Sequence, residues 1–121
     1  MLRPVEAISL DPARMAALYA EFGAAGAESL VARATGEMAL VMSSLVAYAA
    51  EGAFDAFARG LRSFRRLADH VGMIGLSQAA VAVADCVAVG EATAIAATWA
   101  RLLRLAERAL ASEWDRVGGR C

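Results

Sequence analysis

Both prolines of this chain, Pro4 and Pro12, lie near its start, and no proline follows them. Proline disrupts a helix interior more strongly than any other residue, whereas alanine, which recurs throughout this sequence, is the best helix former. The chain is 60% hydrophobic and 21% charged, which is typical of folded proteins and not of disordered ones. Its 121 residues suit one domain, because two domains would each have too little core. The sequence therefore predicts a single all-α domain over residues 1–121.

Caps and glycines locate the predicted helices. After an irregular lead-in over residues 1–10, Asp11 as N-cap and Pro12 at the first helical position predict a short helix that ends at Gly23. A second, longer helix follows, and Gly36 is a candidate kink in it because glycine costs about 1 kcal/mol relative to alanine. The long helices are predicted over residues 25–50, 53–71, 76–90 and from 91 to a frayed tail at 117–121.

Short connections force consecutive helices to run antiparallel. The predicted architecture is therefore a four-helix up-down-up-down antiparallel bundle with a short N-terminal capping helix. In the helix over residues 53–71, apolar residues recur every three or four positions and predict a narrow core stripe, which Phe54 extends. The stripe comprises Phe57, Leu61, Phe64, Ala68 and Val71. The helix over residues 76–90 is apolar nearly all round, which predicts deep burial, with Asp85 in need of a partner and Cys86 as a small buried side chain.

The segment LRSFRRLADHVGMIGL, residues 61–76, carries the densest group of basic residues, and all 12 basic residues of the chain are arginines. Helical spacing predicts an exposed face in which Arg59, Arg62 and Arg66 form one stripe, Arg65 flanks it, and Asp69 and His70 follow. Asp69 is placed to pair with both Arg65 and Arg66. One interpretation is a solvated helix face, where such pairs add little stability. The other is an anion-recognising surface, because arginine binds carboxylates and phosphates through bidentate hydrogen bonds.

The same segment matches the frame of a known signature. That signature is a His-x-x-Lys-Gly run, then an Asn-(Ile/Leu/Val)-Gly helix exit and a leucine four residues after the glycine. Here Val71-Gly72 stands at the exit, His70 at the asparagine and Leu76 at the leucine, while the run falls on Arg62 to Arg66. In this frame, and over most of its length, the chain resembles the histidine-containing phosphotransfer (HPt) domains of bacterial phosphorelays. The resemblance implies a four-helix bundle with a short N-terminal helix.

Three signature positions differ in chemistry. Arg62 replaces the phosphoacceptor histidine, Arg65 the lysine and Arg66 the glycine. A guanidinium stays protonated and offers no lone pair for attack on a phosphoaspartate, so Arg62 cannot carry the phosphoryl group. The resemblance therefore implies a degenerate, non-enzymatic signalling module. It would bind a response-regulator receiver domain or a histidine-kinase-associated protein through its second and third predicted helices, without passing phosphate.

Two alternatives remain open from the residues. His70 could substitute as the acceptor, but it lies about 80° around the helix and roughly 12 Å along it from position 62, near the helix end where a histidine suits the helix dipole. The chain could instead be a structural or oligomerising helical protein, including a homodimer, with no phosphorelay role. Alanine-rich helix surfaces favour such self-association because they allow close approach.

Several function classes are disfavoured by composition and spacing. A net charge of -1 provides no long-range attraction to nucleic acid or anionic membranes. No signal peptide is evident and the apolar stretches are short or interrupted, so no membrane segment and a cytoplasmic location are predicted. Cys86 and Cys121 form no C-x-x-C pair, so neither a metal site, a cofactor nor a disulfide framework is expected. Ser43 and Ser44 have no histidine near them in sequence to activate a nucleophile.

Overall fold

The computed structural model describes residues 10–111, and over that range the chain forms four helices and no strand. The all-α prediction is confirmed. The helices are α1 over Pro12–Glu51, α2 over Phe54–His70, α3 over Ile74–Val89 and α4 over Ala92–Ala109. Of the irregular lead-in predicted over residues 1–10, only Leu10 is among the described residues, and the predicted tail over residues 117–121 lies outside them.

Helix α1 is 40 residues long and is broken once, at Gly23. Asp11 caps its start, where its Oδ1 accepts hydrogen bonds from the backbone N–H groups of Ala13 and Arg14 at 3.1 and 3.3 Å. Gly23 has φ 75° and ψ 171°, a backbone region that essentially only glycine occupies. The break therefore lies where the first helix was predicted to end and not at Gly36, the candidate kink, which keeps helical backbone angles.

Each helix packs against the next one in the chain, α1 on α2, α2 on α3 and α3 on α4. Turns of two or three residues join them. A single cluster of buried side chains draws on all four helices, which gives the protein the character of a four-helix bundle. The whole core stripe predicted for α2 and the residue that follows it is buried: Phe57, Leu61, Phe64, Ala68 and Val71. The Phe57 ring meets Trp99 of α4 edge-on, with centroids 5.0 Å apart and an interplanar angle of 78°.

Some burial predictions are wrong. Phe54 is the first residue of α2 and is 61% exposed, because it lies before the part of the helix that enters the core. Helix α3 is buried on the side formed by residues such as Leu76, Ala80 and Val83, where its main packing partners are α2 and α4. The rest of its surface is partly or fully exposed: Asp85 is exposed and needs no buried partner, and Cys86 is only half-buried.

Helix α1 is long and apolar enough to cross a membrane by length and composition. The core helix of a soluble protein and a signal sequence near an N-terminus meet the same criterion. In this chain α1 supplies Met38, Met42 and Leu45 to the shared core. The cytoplasmic location stays a prediction.

Candidate functional site

The charged face of α2 is exposed as a whole. It lies opposite the core stripe of the same helix, as the helical spacing predicts. Its members are Arg59, Arg62, Arg65, Arg66, Asp69 and His70. The four arginines come from about two turns of one helix, so their positions are fixed by the burial of the apolar stripe behind them.

The structure divides these arginines between two grooves. Arg59 and Arg66 are seven residues apart, so they lie almost one above the other and both line hollows between α1 and α2. Arg62 lies about 60° around the helix from Arg59 and about 40° from Arg66 and, with Arg65, lines a hollow between α2 and α3. The prediction of one stripe shared by Arg59, Arg62 and Arg66 is therefore too coarse. Spacing along one helix cannot show on which side each neighbouring helix packs.

The larger hollow, the α1–α2 groove, has a volume of about 830 Å³ and is open to solvent. Apolar side chains of both helices, including Leu40, Val41 and Leu67, form part of its lining. Charged or titratable groups complete it: Arg14, Glu37, Arg66, Asp69 and His70. A second hollow of about 360 Å³ shares Val41 and Ser63 with it and continues toward Arg59. Together they form an elongated apolar floor with arginines along its α2 edge.

The hollow on the other side, the α2–α3 groove, is small, about 120 Å³. Arg62, Arg65 and Asp85 are among its lining residues. Arg65 Nε lies 3.5 Å from Asp69 Oδ2, and both side chains are more than half exposed. Of the two pairings predicted for Asp69, the structure has the one with Arg65. An exposed pair four residues apart contributes about 0.5 kcal/mol at most, so this contact orients the arginine more than it stabilises the fold.

The end of α2 is tied to the start of α1. Arg14 Nε donates to the backbone carbonyl oxygen of His70 at 2.8 Å, and Arg14 Nη2 lies 3.4 Å from His70 Nδ1. Because an arginine only donates, the histidine nitrogen is the acceptor in the second contact. The backbone N–H of Asp11 donates to the carbonyl oxygen of Gly72 at 2.8 Å, and an isolated antiparallel bridge joins Leu10 to Met73.

Arg14 is the site residue that sequence reasoning missed. It lies 56 positions from His70, and no local pattern relates the two. Gly72 was a partial sequence signal that another part of the chain lies close to this turn. Its φ of 75° is left-handed, and a Cβ on it would lie 3.2 Å from Arg14 Cβ, so a glycine is required where the start of α1 crosses the turn.

The exposed arginines give this face side chains that are suited to binding anionic groups, and the interpretation as a solvated helix face stays open beside it. Arginine forks bind carboxylates and phosphates, and the apolar floor of the α1–α2 groove gives a partner surface to bury. Within residues 10–111, no group of three or more His, Cys, Asp or Glu side chains is arranged to hold a metal ion. Comparison of the chain with protein-family models, with curated proteins and with solved structures gave no match. The geometry of α2 and its neighbours therefore carries the functional conclusion.

Proposed function

We propose that this chain is an HPt-like phosphorelay signalling module that has lost phosphotransfer. In this proposal it binds a response-regulator receiver domain or a kinase-associated partner and passes no phosphate. The observation that carries the proposal is the arginine face of α2, which is exposed beside an open groove. Arg62, at the phosphoacceptor position of the signature, is exposed, while Leu61 and Phe64 beside it are buried.

The proposed arrangement is an up-down-up-down bundle. Support comes from the connections, since two residues separate α1 from α2, three separate α2 from α3 and two separate α3 from α4. Chain reversals this short leave consecutive helices antiparallel. The part of α1 before Gly23 is proposed as the capping helix. Its start contacts the turn between α2 and α3, at one end of those helices.

The proposed contact surface is the α1–α2 groove with its arginine edge. A receiver domain carries carboxylates at its phosphorylation site, and Arg59 and Arg66 stand where such groups would meet α2 across the groove. Charge attraction of this kind mainly raises the association rate and fixes orientation, while the apolar floor supplies buried area. Arg62 is proposed to contact the partner from the side of α2 that is nearer to α3.

The test is a binding titration of the full chain against receiver domains from its own organism, with and without a phosphoryl mimic. Saturable binding is expected, and Arg62→Glu and Arg66→Ala are expected to weaken it by about tenfold or more. Ala100→Glu is the matched control for Arg66→Ala, because each substitution lowers the net charge by one and Ala100 is exposed on α4 away from both grooves. Equal binding by all variants would contradict the proposed surface. Acid-labile phosphate that disappears in His70→Ala would overturn the loss of phosphotransfer.

Self-association is the second candidate function, because large apolar side chains of α1 face solvent. Tyr19, Phe22 and Leu40 are 42%, 49% and 55% exposed. A second copy of the chain could cover such side chains. Sedimentation analysis over a range of concentrations tests this candidate directly. A stable dimer that Phe22→Ser dissociates, together with no receiver binding, would favour it over the signalling role.

A further inference from the structure

The start of α1 forms a unit that is separate from the main core. Its residues 12–22 precede the break at Gly23 and contribute one fully buried large side chain, Leu18. Leu18 is not part of the core cluster that links the four helices. Segments with few contacts to the core open with less free energy than the rest of a fold. The helical turns before Gly23 are therefore the part of α1 that can detach while the bundle persists.

Two features hold this unit at its ends. At the far end, Gly23 has a backbone conformation that essentially only glycine adopts. A Cβ added there would have no neighbouring atom within 4 Å. At the near end, Asp11 and Leu10 pair with the backbone of Gly72 and Met73, and Arg14 reaches the carbonyl oxygen and ring of His70.

We propose that residues 12–22 are a hinged flap that swings about Gly23 and is latched to the α2–α3 turn by Arg14. The latch has a consequence for the α1–α2 groove, because Arg14 and His70 both line it. With the flap closed, the groove contains Arg14. With the flap open, that cation and its contact with His70 are withdrawn. The position of the flap therefore determines whether Arg14 is part of the groove lining.

Linkage makes the coupling reciprocal. A ligand that contacts Arg14 in the groove binds the closed form better, and so favours closure by the ratio of its affinities for the two forms. Closure in turn raises the affinity for that ligand by the same factor. The inference goes beyond the proposed function and does not depend on it, since the flap is a property of the free protein.

Hydrogen exchange followed by mass spectrometry on the free, full-length chain tests the flap. Arg14→Ala removes the side-chain contacts with His70 and leaves the backbone contacts of Leu10 and Asp11 in place. It is expected to speed exchange of the amides in residues 15–22 by about tenfold, while α2, α3 and α4 keep their protection. Arg59→Ala is the matched control, since it removes an exposed arginine of α2 about three turns before His70, away from residues 12–22. It is expected to leave residues 15–22 unchanged.

A second variant tests the hinge with the latch intact. An alanine at position 23 cannot adopt the glycine-only backbone and favours an unbroken helix, which carries the flap away from the turn. Gly23→Ala is therefore expected to speed exchange in the same residues and to preserve the helical circular dichroism signal. Uniformly faster exchange over all four helices in both variants would show that residues 12–22 are integral to the bundle, and unchanged exchange in both would show that no latch exists. Either result overturns the flap and leaves receiver binding to be judged by its own titration.

Discussion

The contact between Gly60 of α2 and Leu45 of α1 allows a sharp test of how closely these helices pack. A Cβ added at Gly60 would lie 2.7 Å from Leu45 Cδ2 and 3.4 Å from its Cγ. Leu45 is completely buried in the core cluster, so its side chain must move against packed neighbours to make room for that Cβ. The absence of a side chain at position 60 therefore sets the distance between the two helices.

Gly60→Ala brings two opposed effects. Alanine improves helix propensity by about 1 kcal/mol, whereas overpacking a well-packed core costs about 1–3 kcal/mol. The steric cost outweighs the gain, and a net loss of about 1 kcal/mol in the free energy of unfolding is expected. Leu45→Ala alone is expected to cost about 2–5 kcal/mol through the cavity it leaves.

The decisive measurement is Gly60→Ala in the Leu45→Ala background. There the two clashing carbons are gone, so only the helix propensity remains and the substitution should stabilise by about 1 kcal/mol. Urea unfolding followed by circular dichroism gives all four corners of this double-mutant cycle. Ser63→Ala is a control three residues along α2, and its effect should be the same in both backgrounds. The reasoning is refuted if Gly60→Ala has the same sign and size with and without the leucine side chain.

Three further substitutions probe other contacts. Trp99→Leu removes the edge-on contact with Phe57 and should lower the free energy of unfolding by about 1–2 kcal/mol, measured in urea; no loss would mean that the ring pair does not stabilise the fold. Asp11→Ala removes the N-cap of α1 at a cost of about 1 kcal/mol, which should appear as about fivefold faster hydrogen exchange confined to the first turns of α1. Arg65→Ala breaks a pair whose side chains are more than half exposed, so the thermal midpoint should stay within about 2 °C of the parent; a larger drop would indicate a further role for Arg65 in the fold.

Local sequence signals predicted the helices well because their physical causes are local. The cap at Asp11 and the proline after it begin α1, and the period of apolar residues in α2 marks the core stripe. Gly23 was predicted as a helix end, and its backbone angles show why the chain breaks there. Each of these signals is contained within a few consecutive residues.

Properties that depend on neighbouring helices could be predicted less well. The apolar composition of α3 indicated burial on all sides, but Asp85 is exposed because the main packing partners of that helix, α2 and α4, do not cover this side of it. The arginines of α2 were correctly predicted to be exposed, yet their division between two grooves follows from the positions of α1 and α3. The contact of Arg14 with His70 depends on how distant parts of the chain meet, which no pattern within one helix contains.

The order of helix packing has a consequence for how the chain reaches this structure. Because α1 packs on α2, α2 on α3 and α3 on α4, the main contacts join stretches that are adjacent along the chain. Contacts between such stretches close only small loops, so the chain loses little entropy before they form. Helical proteins with mostly local contacts fold in about microseconds to milliseconds. A nascent chain of this design can add each helix to the one before it as it emerges.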